Sequence, residues 1–157
     1  MADKKSQNQV STSQCPTNNP FHDAGATSLL NKTGEPPFKL SLNLNKVEFK
    51  CTDDKKPIPV HLKVFNPTNE TVCYKVRCTS AEIFRVQPPL GFVKAQETIT
   101  IIIWYQNQDN KKEALSNKLH YFAIYHTHSD GRTARELWAN SKVEGVRRLP
   151  ATFIMAN

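Results

Sequence analysis

From Phe38 onward, apolar and polar residues alternate in short runs. Leu40, Leu42 and Leu44 are interleaved with Ser41, Asn43 and Asn45, a period of two that sends one set to each face of a strand. Val47-Glu48-Phe49-Lys50-Cys51 follows, then a charged turn from Thr52 to Pro57. Val60, Leu62 and Val64 alternate again, and Asn66-Pro67-Thr68-Asn69 is a turn signal. In the next run Val72, Tyr74, Val76 and Cys78 share a face apolar enough for a core. Cys73, Lys75, Arg77 and Thr79 share the other, which puts two cations on one strand face. Ile83-Phe84-Arg85-Val86 leads into Pro88-Pro89-Leu90-Gly91, expected as a kinked or cis connector. Glu97 to Tyr105 is the most β-prone segment and holds the longest apolar run, Ile101 to Tyr105. Residues 106–117 read as a polar loop.

The last third is less regular. Leu119, Tyr121, Ala123 and Tyr125 alternate with His120, Phe122 and Ile124, and neither set is clearly the more apolar. That pattern marks either a strand covered on both faces or an exposed apolar site. Ser129-Asp130-Gly131 is a turn, Thr133 to Trp138 a short amphipathic helix or loop, and Arg147 to Pro150 with Thr152 to Met155 a last strand. Some seven short strands, with turns every ~8–12 residues, predict an all-β antiparallel sandwich.

At 157 residues the chain has room for one domain and a tail. Residues 1–37, rich in Ser, Thr, Asn, Gln and Pro, offer too little apolar surface to offset the entropy of ordering, and read as a disordered tail. Within it Leu29-Leu30 is a candidate helical turn or docking spot. Residues 38–157 are then the domain. The tail's charges cancel, so the formal +7 arises in the domain, where 18 basic face 11 acidic side chains. Such a surface favours acidic partners. Arg147 and Arg148 are read as a solvated pair open to one.

Cys15, Cys51, Cys73 and Cys78 contain no CxxC pair and are too sparse for a disulfide framework, so they read as free thiols in a reducing compartment. The polar start MADKKSQNQVSTSQ lacks the apolar stretch of a secretory signal, and no run of ~18–20 apolar residues could span a bilayer. The expected location is cytoplasmic. No GxSxG, P-loop, GxGxxG or HExxH motif occurs, so no enzyme, catalytic residue or cofactor is expected. His126 and His128 would share a strand face as half a metal site, but no third ligand lies at a fitting spacing, so no metal is expected. Nucleic acid is not expected either, since there is no Arg/Lys run or aromatic-basic RNA motif.

The run from Leu62 to Val93, with Asn66-Pro67-Thr68, Arg77-Cys78-Thr79, Phe84-Arg85-Val86-Gln87-Pro88 and Gly91, resembles the centre of the major sperm protein (MSP) domain. Thr127 to Gly131, Ala134 to Trp138 and Gly145 to Pro150 resemble the end of the nematode sperm cytoskeletal members. They are less similar to the membrane-anchored VAMP-associated branch. The resemblance covers residues 38–157 and implies a seven-stranded immunoglobulin-like (MSP/PapD-like) sandwich. It also implies two kinds of non-enzymatic work.

One is a component or regulator of the nematode sperm cytoskeleton, acting in filament assembly and amoeboid motility, with MSP-type subunits as partners and a possible homodimer. The other is a soluble adaptor for acidic FFAT-type peptide motifs. For the second, Lys75, Arg77 and Thr79 correspond to the basic groove of the VAMP-associated branch, and His120 and Phe122 fall at that branch's Lys and Met positions. Cations would attract the acidic flank and an apolar side chain would anchor the peptide. Cys78 and His120 depart from the branch's Thr and Lys.

Overall fold

A computed structural model describes residues 29–108 and 118–155. Among them the order is β1 Ser41–Leu42, β2 Val47–Cys51, β3 Ile58–Phe65, β4 Val72–Cys78, β5 Phe84–Gln87, β6 Leu90–Val93, β7 Thr98–Tyr105 and β8 Tyr121–His128. The helix α1 Ala134–Asn140 and β9 Gly145–Met155 complete it. One sheet runs β1-β3-β7-β5, the other β2-β9-β8-β4-β6.

The inward sets of the alternating runs meet between the sheets. Val47, Phe49, Leu62, Val64, Tyr74, Ile101, Ile103, Tyr105, Phe122 and Ile124 are essentially inaccessible. Phe49 lies at the centre of a ring cluster, with Phe84, Tyr105 and Phe153 at 5.7–5.8 Å between centroids. The connector before β6 holds a cis Gln87–Pro88 bond, as expected.

The sandwich stands as the pattern predicted, with two differences in detail. Nine strand segments are found among the described residues, one of them only two residues long. And β2 pairs β9 in parallel, Val47 opposite Ala151 through Cys51 opposite Met155. A parallel pair needs a long connection, and nearly the whole domain lies between these two strands.

Residues 1–28, most of the tail, and residues 109–117 of the polar loop lie outside the described residues. Residues 29–37, also assigned to the tail, pack onto the fold instead. Leu29 is buried, and a turn closes from the Glu35 amide to the Lys32 carbonyl at 3.0 Å. Gly34 takes φ +90 there, where a Cβ would be strained.

Candidate protein-binding face

Of the five side chains that the sequence grouped together, the structure puts Lys75 and Arg77 on the outer face of the five-stranded sheet. Arg77 is exposed and Lys75 half-buried. The Lys75 Nζ lies 5.7 Å from the ring centre of Trp138. Burial, then the neighbouring Arg77, push its ammonium below its ordinary pKa.

Phe122 and His120 do not join them. Phe122 is fully buried and pairs across to Cys78, and His120 is buried against the rings of Phe84 and Phe153. Phe122 lies on the core face of β8, and His120, just before the strand, points the same way. Thr79, just past β4, links the two sides: its Oγ1 is 2.9 Å from the His120 Nδ1 and accepts the Tyr121 amide at 3.3 Å. The strand is closed on its core face and half-covered on its outer one, between the two readings its sequence left open. Its side-chain assignment differs from the expected site by one residue, which reverses every direction.

The residues that do flank Arg77 are set by register. Arg77 pairs with Ala123, and Ala123 with Arg148. The two arginines thus stand two strands apart, ~10 Å between their Cα atoms, across a residue with almost no side chain. On the same face Tyr121 and Tyr125 flank Ala123 along β8, each half-buried. They do not carry the permanent charge of the expected lysine position.

Arg148 is not a solvated cation. Its guanidinium donates two hydrogen bonds to the Glu35 carboxylate, at 2.9 and 2.8 Å, and its side chain is 9% exposed. Glu35 is aimed there by its own turn, since one of its carboxylate oxygens also accepts the Lys32 amide. The Arg148 hydrogen bond, above all, holds this carboxyl near 2, below its ordinary 4.5. The basic face therefore already carries one carboxylate, supplied by the chain itself. No sequence spacing connects residues 35 and 148, which lie 113 residues apart.

The amphipathic stretch is α1, and it borders this face. Thr133 and Glu136 form a capping box, each side chain accepting the other residue's amide. Leu137 and Ala134 pack on Cys73, which is fully buried beneath them, and Trp138 donates to the Tyr74 carbonyl at 3.2 Å. Burial pushes the Cys73 thiol up to about 11. Trp138 thus caps a small satellite cluster outside the sheet rather than the main core.

The His126–His128 pair divides. His126 is buried and its Nε2 accepts the Lys39 amide at 3.0 Å; His128 lies 2.8 Å from Glu144. Among the described residues no group of three or more His, Cys, Asp or Glu is placed to hold a metal ion, and no helix is long and apolar enough to cross a membrane.

Comparison with known proteins supplies the lineage. The chain is 62% identical over 177 aligned positions to the uncharacterized Caenorhabditis elegans protein R05D3.5, covering 98% of each chain. It is 74% identical over 117 positions to the uncharacterized protein ZC262.1 of the same organism, covering 74% of this chain and 88% of that one. Among solved structures it is similar to SSP-19, an MSP-domain protein like family member of C. elegans. The TM-score is 0.59 at 14% identity, over 73% of this chain and 98% of that one. At 13% identity it also superposes on the YadV chaperone, with a TM-score of 0.53 over 76% of this chain and 53% of that one. These distant likenesses concern the fold alone. The family model for the MSP (major sperm protein) domain matches residues 41–143, and the chain belongs to that family.

Proposed function

We propose that this chain is a non-enzymatic protein-interaction module that captures acidic segments on the outer face of its five-stranded sheet. The observation that carries this reading is the row Arg77, Ala123, Arg148, in which one arginine already holds the Glu35 carboxylate and the other is exposed. A small residue between two guanidinium groups leaves space for an extended backbone, and Lys75 adds charge beside it. Tyr121 and Tyr125 supply the flat apolar contact that Phe122 does not.

Fluorescence polarisation with a labelled FFAT-type peptide tests it. Wild-type protein binds, and Arg77→Glu weakens binding tenfold or more, with a steep loss in added salt. Glu35→Ala, which frees Arg148, binds at least as well as wild type. Equally poor binding by wild type and Arg77→Glu ends the reading.

The cellular setting that the family favours is the nematode sperm cytoskeleton, with this chain a component or regulator of filament assembly and amoeboid motility. The MSP family match and the C. elegans relatives support it. Co-sedimentation of the purified chain with sperm filaments is the expected result. A chain that stays monomeric at high concentration and remains in the supernatant speaks against it.

A further inference from the structure

The four-stranded sheet has an outer face of its own, remote from the row just described. Alternation along β3 and β7 sends Leu62, Val64, Ile101 and Ile103 inward. It sends Phe65, Ile102 and Trp104 outward, where all three are half-buried and belong to neither apolar cluster of the protein. Trp104 pairs with Arg85 on β5, and the Arg85 guanidinium carbon lies 5.7 Å from its ring centre. Ile102 pairs with exposed His61, and Thr100 with exposed Lys63. Strands β1, β3, β5 and β7 contain His61, Lys63 and Arg85 and no carboxylate. The helix α1 packs on β4 and β6, in the other sheet.

We propose that this face is a second docking surface, taking an acidic segment of a partner protein that carries an apolar side chain between its carboxylates. A tryptophan with an arginine over its ring and Ile102 beside it on the same strand face is the composition of a binding anchor. The charge selects the occupant. Lys63 and Arg85 stand two strands and four register positions apart, ~16 Å between Cα atoms at ~3.3 Å per residue and ~4.8 Å per strand. That separation is spanned by about five extended residues, with acidic ends at the two cations and an apolar centre over Ile102 and Trp104.

A second copy of this chain fits less well. The chain carries +7, and this face would meet a like-charged one. A nucleic acid backbone would meet two separated permanent cations rather than a continuous basic track.

The chain contains two tryptophans, Trp104 and Trp138, one beside each proposed face. Their indole N–H resonances in ¹⁵N-labelled full-length protein report the two faces separately. The probe is a seven-residue peptide with two glutamates at each end and a phenylalanine at its centre. The Trp104 signal shifts saturably on titration. Lys63→Glu with Arg85→Glu weakens that response tenfold or more, Arg77→Glu leaves it unchanged, and the same peptide with glutamines for glutamates does not elicit it. Both altered side chains are exposed, and the remaining spectrum verifies the fold.

A peptide that moves Trp138 and leaves Trp104 still overturns the second surface while the first reading stands; the reverse result separates them the other way. Equal shifts from the glutamine peptide, tighter binding by an oligothymidine, or a Trp104 shift that grows with protein concentration alone each overturn the proposal.

Discussion

Asn66 follows β3 in a sequence that announces a turn, yet it is wholly buried. Its amide donates to the Glu70 and Val93 carbonyls, at 2.8 and 2.9 Å, and its Oδ1 accepts the Thr68 amide at 2.9 Å and the Thr68 hydroxyl at 2.6 Å. A turn residue thereby fastens β3 to the end of β6, because a buried amide is tolerable only when its donors and acceptor are met. His126 is a second such case. Gly145 lies so near it that a Cβ there would come within 2.0 Å of its Nε2.

The same crowding fixes the ionisation of His126. Burial holds its imidazole down to about 4, against an ordinary 6.5, and the Nε2 lone pair is committed to the Lys39 amide. The unfolded chain therefore takes up this proton at a higher pH than the folded one. The stability that the neutral ring contributes is complete above about 6.5 and falls as pH drops from there to about 4. Urea unfolding at pH 7.5 and 4.5 is expected to differ by about 2 kcal/mol from this group. An unchanged stability across that window would show the ring to be solvated. The Glu35–Arg148 pair acts lower: its share is present above about 4.5 and is lost as pH falls toward 2.

At the scale of elements, β8 and α1 are each held by what packs around them. A strand whose two residue sets are both apolar is stable only if both faces are covered. The core covers Phe122 and Ile124. On the other face Thr127 donates to the Lys142 carbonyl at 3.0 Å, just beyond α1, and Ala123 lies between the two arginines. The seven-residue α1 is too short to be stable alone. Its capping box and the burial of Leu137 over Cys73 hold it in place. Leu137→Ala is expected to cost about 2–4 kcal/mol and to speed modification of Cys73 by a thiol reagent tenfold or more, read by peptide mapping of the labelled protein. Labelling of Cys73 at the wild-type rate would mean that the helix does not shield it.

Across the whole molecule, one sandwich presents two unlike basic faces. On the five-stranded side a carboxylate from the N-terminal arm neutralises one arginine and leaves Arg77 and Lys75 in play. On the four-stranded side no carboxylate occurs in the strands, and the cations frame a tryptophan. Core layers separate the faces, so reversing Arg77 and reversing Lys63 with Arg85 are expected to act independently. An excess positive charge spread over both sheets also speeds encounter with acidic proteins wherever they dock.

The sandwich, most strand positions, the connector at Pro88 and the cationic face of β4 are legible along the sequence, because a period of two and a turn residue are local properties. The sequence named Lys75 and Arg77 correctly as neighbours on one face, since residues i and i+2 of a strand must be. It placed His120 and Phe122 beside them wrongly. In β8 both residue sets are apolar, so nothing local decides which points inward, and the core was needed to choose Phe122. The Arg77–Ala123–Arg148 row, the Glu35 contact 113 residues away in sequence and the second cationic face around Trp104 follow from register between distant strands. Tertiary structure alone decides that register, because pairing partners are selected by how two sheets bury their inner faces together.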